Sequence, residues 1–190
     1  DLRKAEMISD DEIINGCIKN DRKMQKELYQ KYSPRMYAIC LRYAKSKEEA
    51  QDVLQEGFLK IYSKINQFSR EHSFEGWLKR IFVNTAITHY KLNLKHYYQD
   101  DIDNVRETES IHFNVYDSEF SSEELMEVVD SLSEGYKMVF NLFAIEGFKH
   151  KEIADMLGID EATSKSQFHR ARKLIQKKLF YLSEERIAHD

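Results

Sequence analysis

The stretch from His150 to Lys178, HKEIADMLGIDEATSKSQFHRARKLIQKK, decides how this chain is read. Ile153, Met156 and Leu157 recur at helical spacing. Gly158 follows, where a helix end favours a left-handed residue. Ala154 is small where two helices must pass closely, Ile159 closes the space behind the turn, and Asp160 is a suitable N-cap. Beyond it Phe168, Ala171, Leu174, Ile175 and Leu179 form a second apolar stripe. Between Thr163 and Ser183 stand Lys165, Arg170, Arg172, Lys173, Lys177 and Lys178 with no Asp or Glu, in a chain whose formal charge is −4. Cations gathered on one helix against an acidic background mark a face turned toward phosphates. The segment reads as a DNA-binding helix-turn-helix. Its outward face offers Lys165, Ser166, Gln167, His169, Arg170 and Lys173 to base edges and phosphates. A solvated face on an ordinary helical hairpin has a similar composition, and this segment alone does not say what kind of protein carries it.

Working outward, the rest of the chain is also helical in pattern. Gly (6) and Pro (1) are scarce in 190 residues, and alternating Val/Ile/Thr runs are absent. Ser9-Asp10-Asp11-Glu12 is a capping box ahead of Ile13, Ile14, Cys17 and Ile18. Asn20 or Asp21 caps a helix carrying Met24, Leu28 and Tyr32. Ser33-Pro34 is expected to restart a helix with Tyr37, Cys40, Leu41 and Ala44 on its apolar face. Ser46-x-x-Glu49 opens another, with Val53, Leu54, Phe58, Ile61, Tyr62 and Ile65 at helical spacing. SREHS (69–73) reads as a loop. A helix from Phe74 to about Lys95 follows, with Trp77 in its buried stripe and no acid from Trp77 onward.

The composition then changes. Asp100, Asp101, Asp103, Glu107, Glu109, Asp117 and Glu119 stand against Arg106 alone, with little periodicity, as in a flexible acidic tether. The expected architecture is all-α, with two small helical domains at 1–96 and 122–184, a linker at 97–121 and a tail at 185–190. No apolar run reaches the length of a membrane span, and the N-terminal residues lack a signal-peptide core. Cys17 and Cys40 fit no C-x-x-C pattern and suit buried thiols in a reducing compartment, with a single disulfide as the alternative. The economical location is the cytoplasm.

Three segments, taken in order, narrow the class: LYQKYSPRMYAICLRYAKSKEEAQDVLQEGFLKIY (28–62), FEGWLKRIFVNTAITHYK (74–91) and HKEIADMLGIDEATSKSQFHRARK (150–173). In order and spacing they resemble an extracytoplasmic-function (ECF) sigma factor, the small two-domain type of the sigma-70 family. The resemblance covers residues 20–95 and 122–182. It implies a sigma region 2-like bundle that binds core RNA polymerase at its clamp and reads the −10 promoter element. It further implies a region 4-like helix-turn-helix that reads the −35 element while seated on the polymerase flap. DVLQEGFL (52–59) matches the family's core-binding helix, which assigns Asp52, Gln55 and Glu56 to polar pairing and Phe58 or Leu59 to an apolar anchor. Phe68 and Asn84 match positions used around a flipped-out −10 base, where an aromatic face and an amide are chemically apt. Lys79, Arg80 and Lys91 would hold the phosphate backbone. Phe68 reads equally well as a loop residue tucked onto the core.

In the second domain Lys165, Ser166, His169 and Arg170 match −35 contacts. The common family pattern there is T-V-K-S-R, whereas this chain has Thr163-Ser164-Lys165-Ser166-Gln167, so its −35 preference cannot be borrowed. The resemblance implies a monomer when free, core polymerase and promoter DNA as partners, an anti-sigma factor as a partner of many relatives, and no membrane insertion. A free-standing helix-turn-helix regulator is the competing class, with no use for the DVLQEGFL helix. An enzyme is disfavoured because no H-E-x-x-H motif, zinc-ligand spacing or Gly-rich phosphate loop is present. No cofactor, metal or catalytic residue is expected, and Asp100, Asp101 and Asp103 read as solvating charge.

Overall fold

The computed structural model describes residues 8–97 and 120–189. The acidic run of the expected tether, 98–119, lies outside the described residues. Two compact units divide the chain, Asp1–Tyr90 and Lys91–Asp190. Every regular element among the described residues is helical.

The first unit contains α1 (Asp10–Ile18), α2 (Arg22–Tyr43), α3 (Lys47–Lys64), a 3-10 turn (Ile65–Gln67) and most of α4 (Phe74–Tyr97). Ser9 Oγ accepts from the Glu12 amide at 3.2 Å, while the Glu12 carboxylate accepts from the Ser9 amide at 2.9 Å. That reciprocal box is the one the sequence indicates. Asn20 turns the chain through a left-handed conformation (φ 58°), and Asp21 then caps α2. The helix expected to restart at Ser33-Pro34 instead runs unbroken from Arg22 to Tyr43 with Pro34 inside it. Leu28 and Tyr32 before the proline and Met36, Ile39, Cys40 and Tyr43 after it are all buried on one face. Burial on both sides outweighs a penalty of about 3 kcal/mol for interior proline. Tyr32 also donates to Asp10 at 2.8 Å, tying α2 to the start of α1. Leu41, expected on the apolar face, is 38% exposed.

Helix α3 meets α4 at Gly57. A Cβ there would lie 2.2 Å from the Phe82 ring, so the two helices approach as closely as they do only because position 57 has no side chain. Around this point Val53, Leu54, Phe58, Ile61, Leu78, Phe82 and Val83 are buried.

The second unit contains α5 (Ser122–Asp130), α6 (Glu134–Phe140) with a π turn over Asn141–Ile145, α7 (His150–Leu157) and α8 (Glu161–His189). Ser121 and Glu124 form a second capping box. Ala171, Ile175 and Leu179 of α8 are buried against Val128, Val129 and Leu132. Helix α8 does not stop at 184. Its final turns are held by an ion pair from Arg186 to Glu124 and by the Arg186 guanidinium lying 4.8 Å from the Phe120 ring centroid. The expected 185–190 tail is therefore helical through His189.

Candidate nucleic-acid interface

Helix α7 ends at Gly158, which takes the left-handed conformation (φ 71°, ψ 38°) the sequence requires, and its amide donates to the Ala154 carbonyl at 2.8 Å. The chain then enters α8, where the Asp160 carbonyl accepts from the Ser164 amide at 3.0 Å. Ile153 and Ala154 face inward from α7; Ala171, Ile175 and Leu179 face inward from α8. At about 100° per residue, Lys165, Ser166, His169, Arg170 and Lys173 share the opposite face of α8. All five are exposed. Gln167 falls off that face and is half-buried on the flank of the apolar stripe.

The cations of α8 are not equivalent. Lys165 pairs with Glu161 at 2.7 Å one turn away, and that hydrogen bond holds the Glu161 carboxyl below its ordinary range. The two side chains are 60% and 46% exposed, so the pair is weak and does little to hold Lys165 in place. Lys178 has a structural task instead. It donates to Ser131 Oγ at 2.6 Å and to the Ser131 carbonyl at 3.3 Å, securing the turn after α5.

On α4, Arg80, Asn84 and Lys91 recur along one face and all are exposed, so two cations flank an amide. Lys79 lies on another face, 3.4 Å from Glu75, which also accepts from Arg35 at 3.0 Å. Phe68 is half-buried, edge-on to Phe74 (5.1 Å between centroids) and tilted against Trp77 (5.4 Å). Its ring therefore belongs to an aromatic cluster at the base of the 68–73 loop. Arg70 fixes the loop to α1, donating to Asp11 at 2.7 Å and to Asn15 at 2.5 Å.

On α3, Asp52, Gln55 and Leu59 are exposed along one edge, with Leu59 at 69%. Phe58 corrects the sequence reading. It is only 3% exposed and packs against Tyr29 (4.7 Å), Phe82 (5.3 Å) and Tyr62 (6.1 Å), so it cannot anchor a partner. Leu59 is the apolar group left outside. Glu56 is half-buried and engaged within the unit: its carboxylate lies 2.5 Å from Lys60 Nζ and 2.5 Å from His89 Nε2. Hydrogen bonding first from Lys60 and then from His89 holds the Glu56 carboxyl below its usual range. It joins α3 to α4, a role that helical periodicity could not indicate, since His89 is 33 residues away.

Sequence reading also missed His150 and Ser164. His150 Nδ1 lies 2.9 Å from Ser164 Oγ across the helix-turn-helix, and the imidazole stacks on Phe143 at 4.3 Å. The one available signal was Ser164 itself, a hydroxyl where the pattern has valine. Among the described residues no three His, Cys, Asp or Glu side chains group to hold a metal ion. No described helix is long and apolar enough to cross a membrane. Burial pushes the Cys17 thiol up to about 11 and the Cys40 thiol up to about 12, which leaves both unreactive at neutral pH.

Two family descriptions match this arrangement in order: sigma-70 region 2 over residues 28–93 and sigma-70 region 4 over residues 122–175. The chain is 29% identical over 185 residues to the ECF RNA polymerase sigma-E factor of Haemophilus influenzae, covering 92% of this chain and 97% of that protein. Against the ECF RNA polymerase sigma-E factor of Escherichia coli K12 it is 29% identical over 186 residues, covering 92% and 96%. Among solved structures, the sigma factor RpoE from Bartonella quintana, crystallised with the anti-sigma factor NepR, shares the fold with a TM-score of 0.50 and 23% identity. That likeness covers 81% of this chain and 95% of that one.

Proposed function

The chain belongs to the sigma-70 family of RNA polymerase sigma factors, and from that premise we propose how its surfaces divide the work of promoter recognition. It directs promoter-specific transcription initiation by core RNA polymerase, with promoter DNA as the second partner. The exposed edge of α3, formed by Asp52, Gln55 and Leu59, docks on the polymerase clamp. There the two polar groups face partner cations or amides and Leu59 enters an apolar pocket. The α4 face of Arg80, Asn84 and Lys91 handles the −10 strand, with the cations on phosphates and the amide available to an unstacked base. Phe68, with Trp77 and Phe74 behind it, stiffens the loop beside that strand.

Helix α8 enters the major groove at the −35 element, with Lys165, Ser166, His169, Arg170 and Lys173 toward the DNA and the unit seated on the polymerase flap. Gln167, on the flank, reaches the groove edge at most. No step of this work needs a catalytic residue, because the chain positions DNA and polymerase and leaves the chemistry to the enzyme. An inhibitor protein of the anti-sigma type, such as the one bound to the Bartonella sigma factor, would compete for these faces. The work takes place where the chromosome lies, in the cytoplasm.

The cationic run from Thr163 to Ser183 in α8, which holds no Asp or Glu in an otherwise acidic chain, is the observation that carries the reading most. Transcription of genomic DNA by the full chain plus core RNA polymerase, with mapped start sites, tests it. The expected result is a stable complex and starts that share two upstream elements at fixed spacing. No complex and no specific starts would refute it.

A further inference from the structure

We propose that His150 and Ser164 are a positioning pair that sets the angle of α8 on the −35 element, an inference that rests on the reading above. The joint between α7 and α8 is pinned at two places. One is the left-handed turn at Gly158. The other is the contact of His150 Nδ1 with Ser164 Oγ at 2.9 Å, 14 residues apart in sequence. With both ends held, α8 cannot pivot about the turn.

The pair is built into the protein. Ser164 is fully buried, so its hydroxyl would lose its partner, without gaining water, if the imidazole left. His150 is the first residue of α7, and its ring is seated between two aromatic neighbours. It stacks on Phe143 of the π turn at 4.3 Å with planes 12° apart, and Phe168 of α8 lies 5.8 Å away at 59°. Phe143 and Phe168 touch each other at 4.5 Å. One imidazole thus joins the π turn, the start of α7 and the first turns of α8. A valine at 164, as in the common pattern, would pack there without directional preference. A hydroxyl with one partner imposes a direction.

The leverage is geometric. Ser164 immediately precedes Lys165, and Lys173 lies nine residues on, about 13 Å along the helix, so a 10° tilt at Ser164 moves Lys173 by about 2 Å. That displacement is enough to break contacts to base edges that require hydrogen-bond distances. The pair touches no DNA itself, because Ser164 is buried and Lys165, Ser166, His169 and Arg170 stand outside it.

The test uses the full chain bound to core polymerase and a promoter recovered by start-site mapping, in its intact form and with the −35 element scrambled. Ser164→Ala and His150→Ala are expected to lower transcription from the intact template about fivefold, the scale of one lost buried hydrogen bond. Transcription from the scrambled template and affinity for core enzyme should not change. His150→Asn, whose amide can occupy the Nδ1 position, should recover most of the loss. Wild-type levels in both alanine variants would overturn the proposal. So would equal loss on both templates, or His150→Asn behaving as His150→Ala. If the wild-type chain itself made no use of the −35 element, the underlying reading would fall, and the unsubstituted control would show it.

Discussion

At the scale of single residues, the clearest lesson is the adjacent pair Phe58 and Leu59. Both are large and apolar, and both lie within one motif. They lie on different faces of α3, about 100° apart, with Phe58 3% and Leu59 69% exposed. Phe58→Ala should therefore destabilise the first unit by about 3–5 kcal/mol, visible in urea unfolding, because it empties a site between three rings. Leu59→Ala should leave unfolding within about 0.5 kcal/mol of wild type, as surface substitutions usually do, yet weaken the complex with core polymerase. The reverse pattern would show that the two roles had been assigned the wrong way round. His150 supplies a pH signature. Desolvation first, and then the Lys165 charge, hold its pKa below the ordinary histidine value of 6.5. The unfolded chain therefore takes up the proton first as pH falls. The stability contributed by neutral His150 is complete above 6.5 and declines below it, until the folded form also protonates. Comparing melting temperatures of wild type and His150→Asn between pH 7.5 and 5.5 should reveal a gap that changes over that interval. A constant gap would contradict the burial of the ring.

At the scale of elements, α3 and α4 depend on Gly57. Gly57→Ala would drive a methyl group into Phe82, and the expected cost is about 1–3 kcal/mol with m unchanged, since the helices can part only by disturbing the packed core. An alanine variant as stable as wild type would mean that the ring swings aside freely. Much of this level was legible in the sequence. Ser9-x-x-Glu12, Ser46 and Gly158 act through bonds to their own neighbours, so spacing of a few residues reveals them. Helix α2 resisted the same logic. A proline is a local stop signal, and what overrides it is burial of Leu28 and Tyr32 on one side and Met36 and Ile39 on the other, a tertiary term. The end of α8 was hidden for the same reason. Ser183 to His189 has no strong periodicity, and it is held by Arg186, whose partners Glu124 and Phe120 lie far back in the chain. Arg186→Ala should accordingly loosen only the last turns, seen as faster amide exchange after Ser183 with the Ala171–Leu179 stripe still protected. Uniform loss of protection along α8 would contradict that local role.

At the scale of the whole molecule, outward faces were easier to read than internal polar ties. The α8 cations could be placed because the acid-free run from Thr163 to Ser183, in a chain of charge −4, is a compositional fact. Glu56, by contrast, matches a position for pairing with a partner protein, yet its carboxylate is engaged by His89 and Lys60 within its own unit. The central claim is that promoter recognition needs both units and the polymerase together. The most direct measurement is the affinity of the full chain for a promoter recovered by start-site mapping, with and without core RNA polymerase, at one fixed salt concentration. The account predicts weak, poorly selective binding by the free chain and at least about a thousandfold discrimination against unrelated DNA in the complex. Tight, selective binding by the free chain, unchanged by core enzyme, would contradict it.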